Sequence, residues 1–278
     1  MYEKIIFTDS PGGQKFALPS FFGQDMPQAL GGGGSCRYCG REHQFASGAA
    51  WREAVALMRL LGEHQRIDFS VPAAAADPRF ATDYLFGEAR GQMFGVMVCR
   101  GQDENTQVLR AFSGQYNGEW EVDGWVGPLF DVAAFRALAC DVEQEVKELG
   151  VRIDALAEED SEKAVLRRER RELSRKLMQE LHALYALHNF RGEVRSLAEA
   201  FIGPSGIPTG AGDCCAPKLL DHAARNKLIP LGIAEFYWGR ENRSKTREHG
   251  RFYAACREKC APILGFMLCG LEEEQGKL

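Results

Sequence analysis

Apolar residues recur along this chain with more than one period. In "AWREAVALMRLLGEH", residues 50–64, Ala50, Val55, Met58 and Leu61 fall on one stripe with charged residues elsewhere, which predicts an amphipathic helix. Residues 91–100, "GQMFGVMVCR", are almost continuously apolar and have the length of a buried strand. The polar turn "GQDENT" and the returning "QVLRAFSGQY" complete an expected hairpin, and "KIIFTD" near the start predicts another short strand. From 131 to 190 the spacing becomes helical. Phe135, Leu138, Val142, Val146, Leu149, Ile153 and Leu156 step by threes and fours, and after the polar break "EEDSEK" the helical register resumes through Leu166, Leu173, Leu177, Leu181, Leu184 and Leu187. That pattern predicts two long antiparallel helices. In the last third, "GDCCAPKLLDHAARNK" reads as a helix with Pro217 in its first turn and "IPLGIAEFYWG" as a strand. "ENRSKTREHGRFY" then reads as a basic loop and "CREKCAPILGFMLCG" as a second helix.

These elements predict an α/β fold: a mixed sheet with flanking helices, interrupted by a long antiparallel helical hairpin. The chain divides into a variable region over 1–90, a strand hairpin over 91–130, the helical hairpin over 131–192 and an α/β core over 193–278. The run "GGGGS" at 31–35 reads as a turn region, either a flexible linker or a native loop.

Charge and composition narrow the setting. The 278 residues are 45% hydrophobic and 26% charged with a net charge of −5, which is ordinary for a globular protein and argues against one that coats nucleic acid by charge alone. No run approaches the roughly 18 apolar residues of a spanning helix, so no membrane partner is expected. The first residues lack a basic segment followed by an apolar stretch, and the expected location is the cytoplasm.

That setting changes the meaning of nine cysteines. In a reducing compartment clustered thiols are metal ligands or reactive groups more often than disulfides. Cys99, Cys140 and Cys269 lie in apolar stretches and read as small core residues. Cys214 and Cys215 open one expected helix, and Cys256 and Cys260 open the next. Helices lying side by side on a sheet would make those first turns neighbours, and a helix N-terminus favours the thiolate. Residues four apart share a helical face. Cys214, Cys256 and Cys260 are therefore candidate metal ligands, with water or Cys215 in the fourth position. Zinc is the simplest ion for so much sulfur, with iron the alternative and ordinary buried thiols the plain one. A second candidate is "CRYCGREH", in which Cys36, Cys39 and His43 form half a zinc knuckle without a local fourth ligand. It binds its own ion, lends thiols to Cys256 and Cys260, or does neither.

The stretches "GAGDCCAPKLLDHAARNKLIPLGIAEFYWG" and "REHGRFYAACREKCAPILGFMLCGL", with "GQMFGVMVC" and "LRAFSGQY" before them, carry a family likeness. Over most of residues 90–272 the chain resembles the N-terminal extension of certain long RluA-type pseudouridine synthases. The HRLD-type segment that carries the synthase aspartate has no equivalent, since the nearest string, "VRID", lies in the helical hairpin. The resemblance therefore implies no pseudouridine synthase activity. The extension is also similar in layout to the zinc-dependent nucleotide and nucleic-acid deaminases: a strand hairpin, a helix opening on a ligand, a strand, and a helix opening on two cysteines. That likeness implies Cys214 as first ligand and Cys256 and Cys260 as the pair. The deaminase glutamate two residues after the first ligand is Ala216 here, and the pair is spaced CxxxC rather than CxxC. Asp213 and Glu235 are the candidate catalytic substitutes, with a structural carboxylate the alternative for Glu235.

Near the thiols, Lys218, Arg247, His249 and Arg251 are candidate anion-binding residues. Basic residues from 225 to 259, interleaved with Phe236, Tyr237, Trp238, Phe252 and Tyr253, are compatible with RNA contact or with a solvated loop over an aromatic core. "RRERRELSRK" poses the same choice between RNA and a solvated helix face. Three functions follow: a zinc-binding deaminase-like domain acting on or binding a nucleotide or nucleic-acid base, a non-catalytic RNA-binding protein with structural zinc, or a protein that associates with partners or itself through the helical hairpin.

Overall fold

Two four-residue strands, β1 (Gly32–Ser35) and β2 (Glu42–Phe45), come first in the computed structural model, which describes residues 30–158, 160–204 and 206–276. The strand expected at "KIIFTD" lies outside the described residues. Next come α1 (Ala50–His64), β3 (Gln92–Arg100), β4 (Thr106–Phe112), α2 (Val132–Ala155) and α3 (Ser161–Ala183). A small hairpin of β5 (Ala186–His188) and β6 (Val194–Ser196) leads through α4 (Leu197–Ala200) to α5 (Cys215–Arg225). The chain ends in β7 (Ile229–Trp238), β8 (Phe252–Tyr253), α6 (Ala261–Met267) and α7 (Leu271–Gln275).

The main sheet has the order β4-β3-β7-β8, and every pair in it is antiparallel. This corrects the expected mixed sheet: β7 enters beside Arg100, where β3 ends, so the two run in opposite directions. Side chains alternate across the strands, and both faces are covered. Phe94, Val96 and Val98 of β3 and Ala234, Phe236 and Trp238 of β7 pack on Ala54, Leu57, Met58 and Leu61 of α1. Val55, expected on that stripe, is only half-buried. Met97, Cys99 and Ile233 face the other way, against α5 and α6. Each leucine that α5 buries there, Leu219 and Leu220, contributes about 1.5–3 kcal/mol. Gly95 brings that helix close: a Cβ on it would lie 2.5 Å from the Cβ of Cys215.

α2 and α3 start at aspartate caps, Asp131 accepting from Ala134 N and Asp160 from Glu162 N. They pack together through Ala139, Leu177 and Leu181 and, further out, through Leu149, Ile153 and Leu166. Cys140 is exposed beside that seam, which corrects its reading as a core residue. Leu187 belongs to β5 rather than to α3, because the Asn189 side chain accepts from Arg191 N and Glu193 N and turns the chain into a hairpin.

The "GGGGS" run is neither linker nor loop. It forms β1, laid flat on α6 so closely that a Cβ on Gly34 would fall 2.1 Å from the Ala261 carbonyl oxygen. α6 itself begins later than expected. Residues 256–260 form a turn closed by Cys260 N and Ala261 N on the Cys256 carbonyl, 3.2 and 3.0 Å away, and the helix starts only at Ala261.

Candidate metal centres

Cys214 is the N-cap of α5, with extended backbone and a side chain that makes no capping hydrogen bond. Its sulfur is thereby free to face the turn that carries Cys256 and Cys260. The three Sγ atoms lie within 4.8 Å of one another, and those of Cys256 and Cys260 are 3.4 Å apart. Thiolates bound to one zinc at about 2.3 Å sit roughly 3.8 Å from each other, so this donor set fits that ion. Hydrogen bonds from Cys214 and Cys260 pull the Cys256 thiol far below its ordinary pKa, while the same contacts and burial push the other two up. Cys215 is not part of the cluster. It is the first residue of the helix proper and turns into the sheet, where its Sγ lies 3.4 Å from the Met93 carbonyl oxygen. Among the described residues no fourth Cys, His, Asp or Glu donor joins the three.

Glu235 comes to this place by strand alternation. It is opposite Gly95 in the register, on the face of β7 that meets the first turn of α5. Its Oε1 accepts the Ala216 N–H at 2.8 Å in a buried setting. Burial raises its pKa to about 7; the Ala216 N–H and Arg247 oppose the rise, and Cys256 adds to it. Asp213, the other candidate, is held by Tyr185, whose O–H donates to Oδ1 at 2.6 Å.

The expected anion rim is mostly absent. Lys218 is 1% exposed on the inward face of α5, and its Nζ donates to the Phe112 and Gly114 carbonyls at 3.0 and 2.8 Å, which corrects its reading as a phosphate contact. His249 is packed between Trp238 and Phe86 and accepts from Gly239 N, so it too faces the interior. Arg251 is paired with Glu248 at the surface. Of the four, Arg247 alone acts on Glu235: its guanidinium is 4.3 Å from the centre of the Tyr253 ring and close enough to favour a charged carboxylate there. Phe236, Tyr237 and Trp238 are buried core residues, and only Phe252 and Tyr253 are half-exposed.

A second cluster unites Cys36, Cys39, His43 and Cys269, whose donor atoms also lie within 4.8 Å of one another. Cys39 Sγ is 3.1 Å from His43 Nε2. Burial raises the Cys39 pKa, but hydrogen bonds from His43, the Arg41 backbone, Cys269 and Cys36 outweigh it and bring the thiol to about 6. Cys269 is thus no simple core residue. The one signal for it in the sequence was a CxxC and histidine short of one donor in a chain with cysteines to spare.

Among the described residues no helix is long and apolar enough to cross a membrane. No protein-family model, curated protein or solved structure matches the chain.

Proposed function

We propose that this chain is a zinc-dependent domain of deaminase-like chemistry, acting on a nucleotide or nucleic-acid base. Cys214, Cys256 and Cys260 hold the ion and Glu235 moves the proton. The observation that carries this reading is where Glu235 ends. Deaminases of this kind place a carboxylate two residues after the first ligand. Here that residue is Ala216, and Glu235 brings a carboxyl from the neighbouring strand to the N–H of the same residue.

Zinc, if held by Cys214, Cys256 and Cys260, would supply Lewis-acid activation of water. The chain's own part is to manage protons and exclude bulk water. A buried carboxyl whose pKa burial raises above the ordinary carboxylate range is suited both to take and to give a proton, as hydrolytic release of ammonia requires. Ala216, Leu220, Ile233, Tyr253 and Leu264 surround it with largely apolar walls. The resemblance to the extension of RluA-type synthases makes RNA bases the first substrates to try. The non-catalytic RNA-binding alternative has less support, because the aromatics at 236–238 are spent in the core.

The test combines metal analysis with ammonia release from nucleosides, nucleotides and RNA. Cys256→Ser should lose one equivalent of zinc. Glu235→Gln should keep the metal and lose activity by about 10²–10⁴-fold. Full metal in Cys256→Ser, or full activity in Glu235→Gln, would defeat the assignment.

A further inference from the structure

We propose that Cys36, Cys39, His43 and Cys269 bind a second zinc in a closed site, and that this ion fastens the β1–β2 hairpin to the far end of the segment whose near end bears Cys256 and Cys260. The donors come from three places. Cys36 follows β1, and the chain folds back through hydrogen bonds from Cys36 N to Arg41 O and from Gly40 N to Cys36 O, 2.8 and 2.9 Å long. Cys39 sits in that loop and His43 on β2. Cys269 arrives from beyond α6, where its carbonyl accepts from Phe190 N. Cys36, His43 and Cys269 are each at most 5% exposed. His43 turns Nε2 toward the sulfurs, while its Nδ1 is buried and has no hydrogen-bond partner among the described residues.

Three thiols and an imidazole fill a zinc tetrahedron, leaving no position for water, which is the composition of a structural site. Three thiolates around a dication leave one net negative charge. Arg191 lies close enough for both Cys269 and Cys39 to stabilise its cation, and it is also paired with Glu273.

The hairpin has need of such a fastening. It has two strands of four residues, and three residues of β1 are glycines with no side chain to bury. Its other ties include the close backbone contact with α6, the Arg37 guanidinium on the Phe201 carbonyl at 2.5 Å, the Tyr38 ring edge-on to Phe266 with the Arg195 guanidinium over it, and the buried Phe45 side chain of β2. An ion that assembles ligands from both ends of the described chain makes its binding energy part of folding energy. The same ion sets the seat of α6 and, through it, the turn of Cys256 and Cys260. The proposal holds whether or not the first site binds metal.

The Cys256→Ser protein isolates this cluster. Stripped of metal and refilled with zinc, it should bind one equivalent, and adding Cys269→Ser should lower that affinity at least tenfold. His43→Cys in the same background should keep one equivalent of cobalt while its visible d–d bands move to longer wavelength, as sulfur replaces nitrogen. If Cys269→Ser fails to fold, the cobalt spectrum decides. No zinc in Cys256→Ser, undiminished affinity after Cys269→Ser, an unchanged cobalt spectrum, or a native mass lower by two hydrogens with no metal bound (a disulfide in place of the site) would each overturn the proposal. If instead wild-type protein binds a single zinc that Cys256→Ser retains and Cys269→Ser loses, the proposed function fails and this site stands.

Discussion

His249 lies 4.4 Å from Trp238 and 5.3 Å from Phe86, ring centre to ring centre, and its Nδ1 accepts from Gly239 N. Burial lowers its pKa to about 4. Between that value and the ordinary value near 6.5 the unfolded chain binds more protons than the folded one, so stability rises with pH across this window and is lost as pH falls through it. The contribution is up to roughly 3 kcal/mol. Urea midpoints measured from pH 4 to 7 should show that slope, and His249→Phe, which keeps the stacking, should flatten it. Lys218 makes the same point without titration. In the sequence it is a candidate anion contact, yet its ammonium is enclosed by two carbonyls and the rings of Phe112 and Trp120. Nothing in the local sequence separates these buried cations and imidazoles from exposed ones, because the enclosing groups come from other strands.

At the scale of elements, two glycines should answer to the same substitution with opposite signs. Gly34 lies on β1 where the strand meets α6, and an added methyl would run into the Ala261 carbonyl. Gly34→Ala should cost about 1–3 kcal/mol, the usual penalty for overpacking. Gly62 lies inside α1, where among the described residues only the edge of Trp238 is near, 4.0 Å from an added Cβ. Gly62→Ala should stabilise by roughly 0.5–1 kcal/mol, because alanine loses less entropy in a helix. Urea denaturation of both variants checks the pair. The apolar periods placed α1, β3, β4, α5 and β7 correctly, since helices and strands that bury one face must repeat at their own pitch. They missed β1, which has no side chains to carry a period, and they ran α3 on into β5 because leucine spacing alone does not register the turn at Asn189.

Across the whole molecule, α2 and α3 extend from the layered core with an outer apolar cluster made, among the described residues, of their own Leu149, Ile153 and Leu166. Replacing residues 146–170 by a short Gly/Ser link, while keeping the inner cluster of Ala139, Leu177 and Leu181, should leave metal content unchanged. The melting temperature should move by no more than about 2–4 °C, equivalent to about 1 kcal/mol. A loss of bound metal or a larger drop would show that the helices support the core. By itself, the sequence determined the helix or strand character of the stretches that became α1, β3, β4, α5 and β7, and that the thiols near residues 36, 214 and 256 were worth pursuing as ligands, because pitch and short spacings are local properties. Only the tertiary structure decided which donors meet. Neighbours Cys214 and Cys215 point to different places, one to the turn at 256–260 and one into the sheet, while Cys269 joins Cys36 from the far end of the chain. Glu235 reached Ala216 in the same way, through the register of β7 and the close seat of α5. A donor set is a matter of distances, and packing sets those distances among residues the chain keeps far apart.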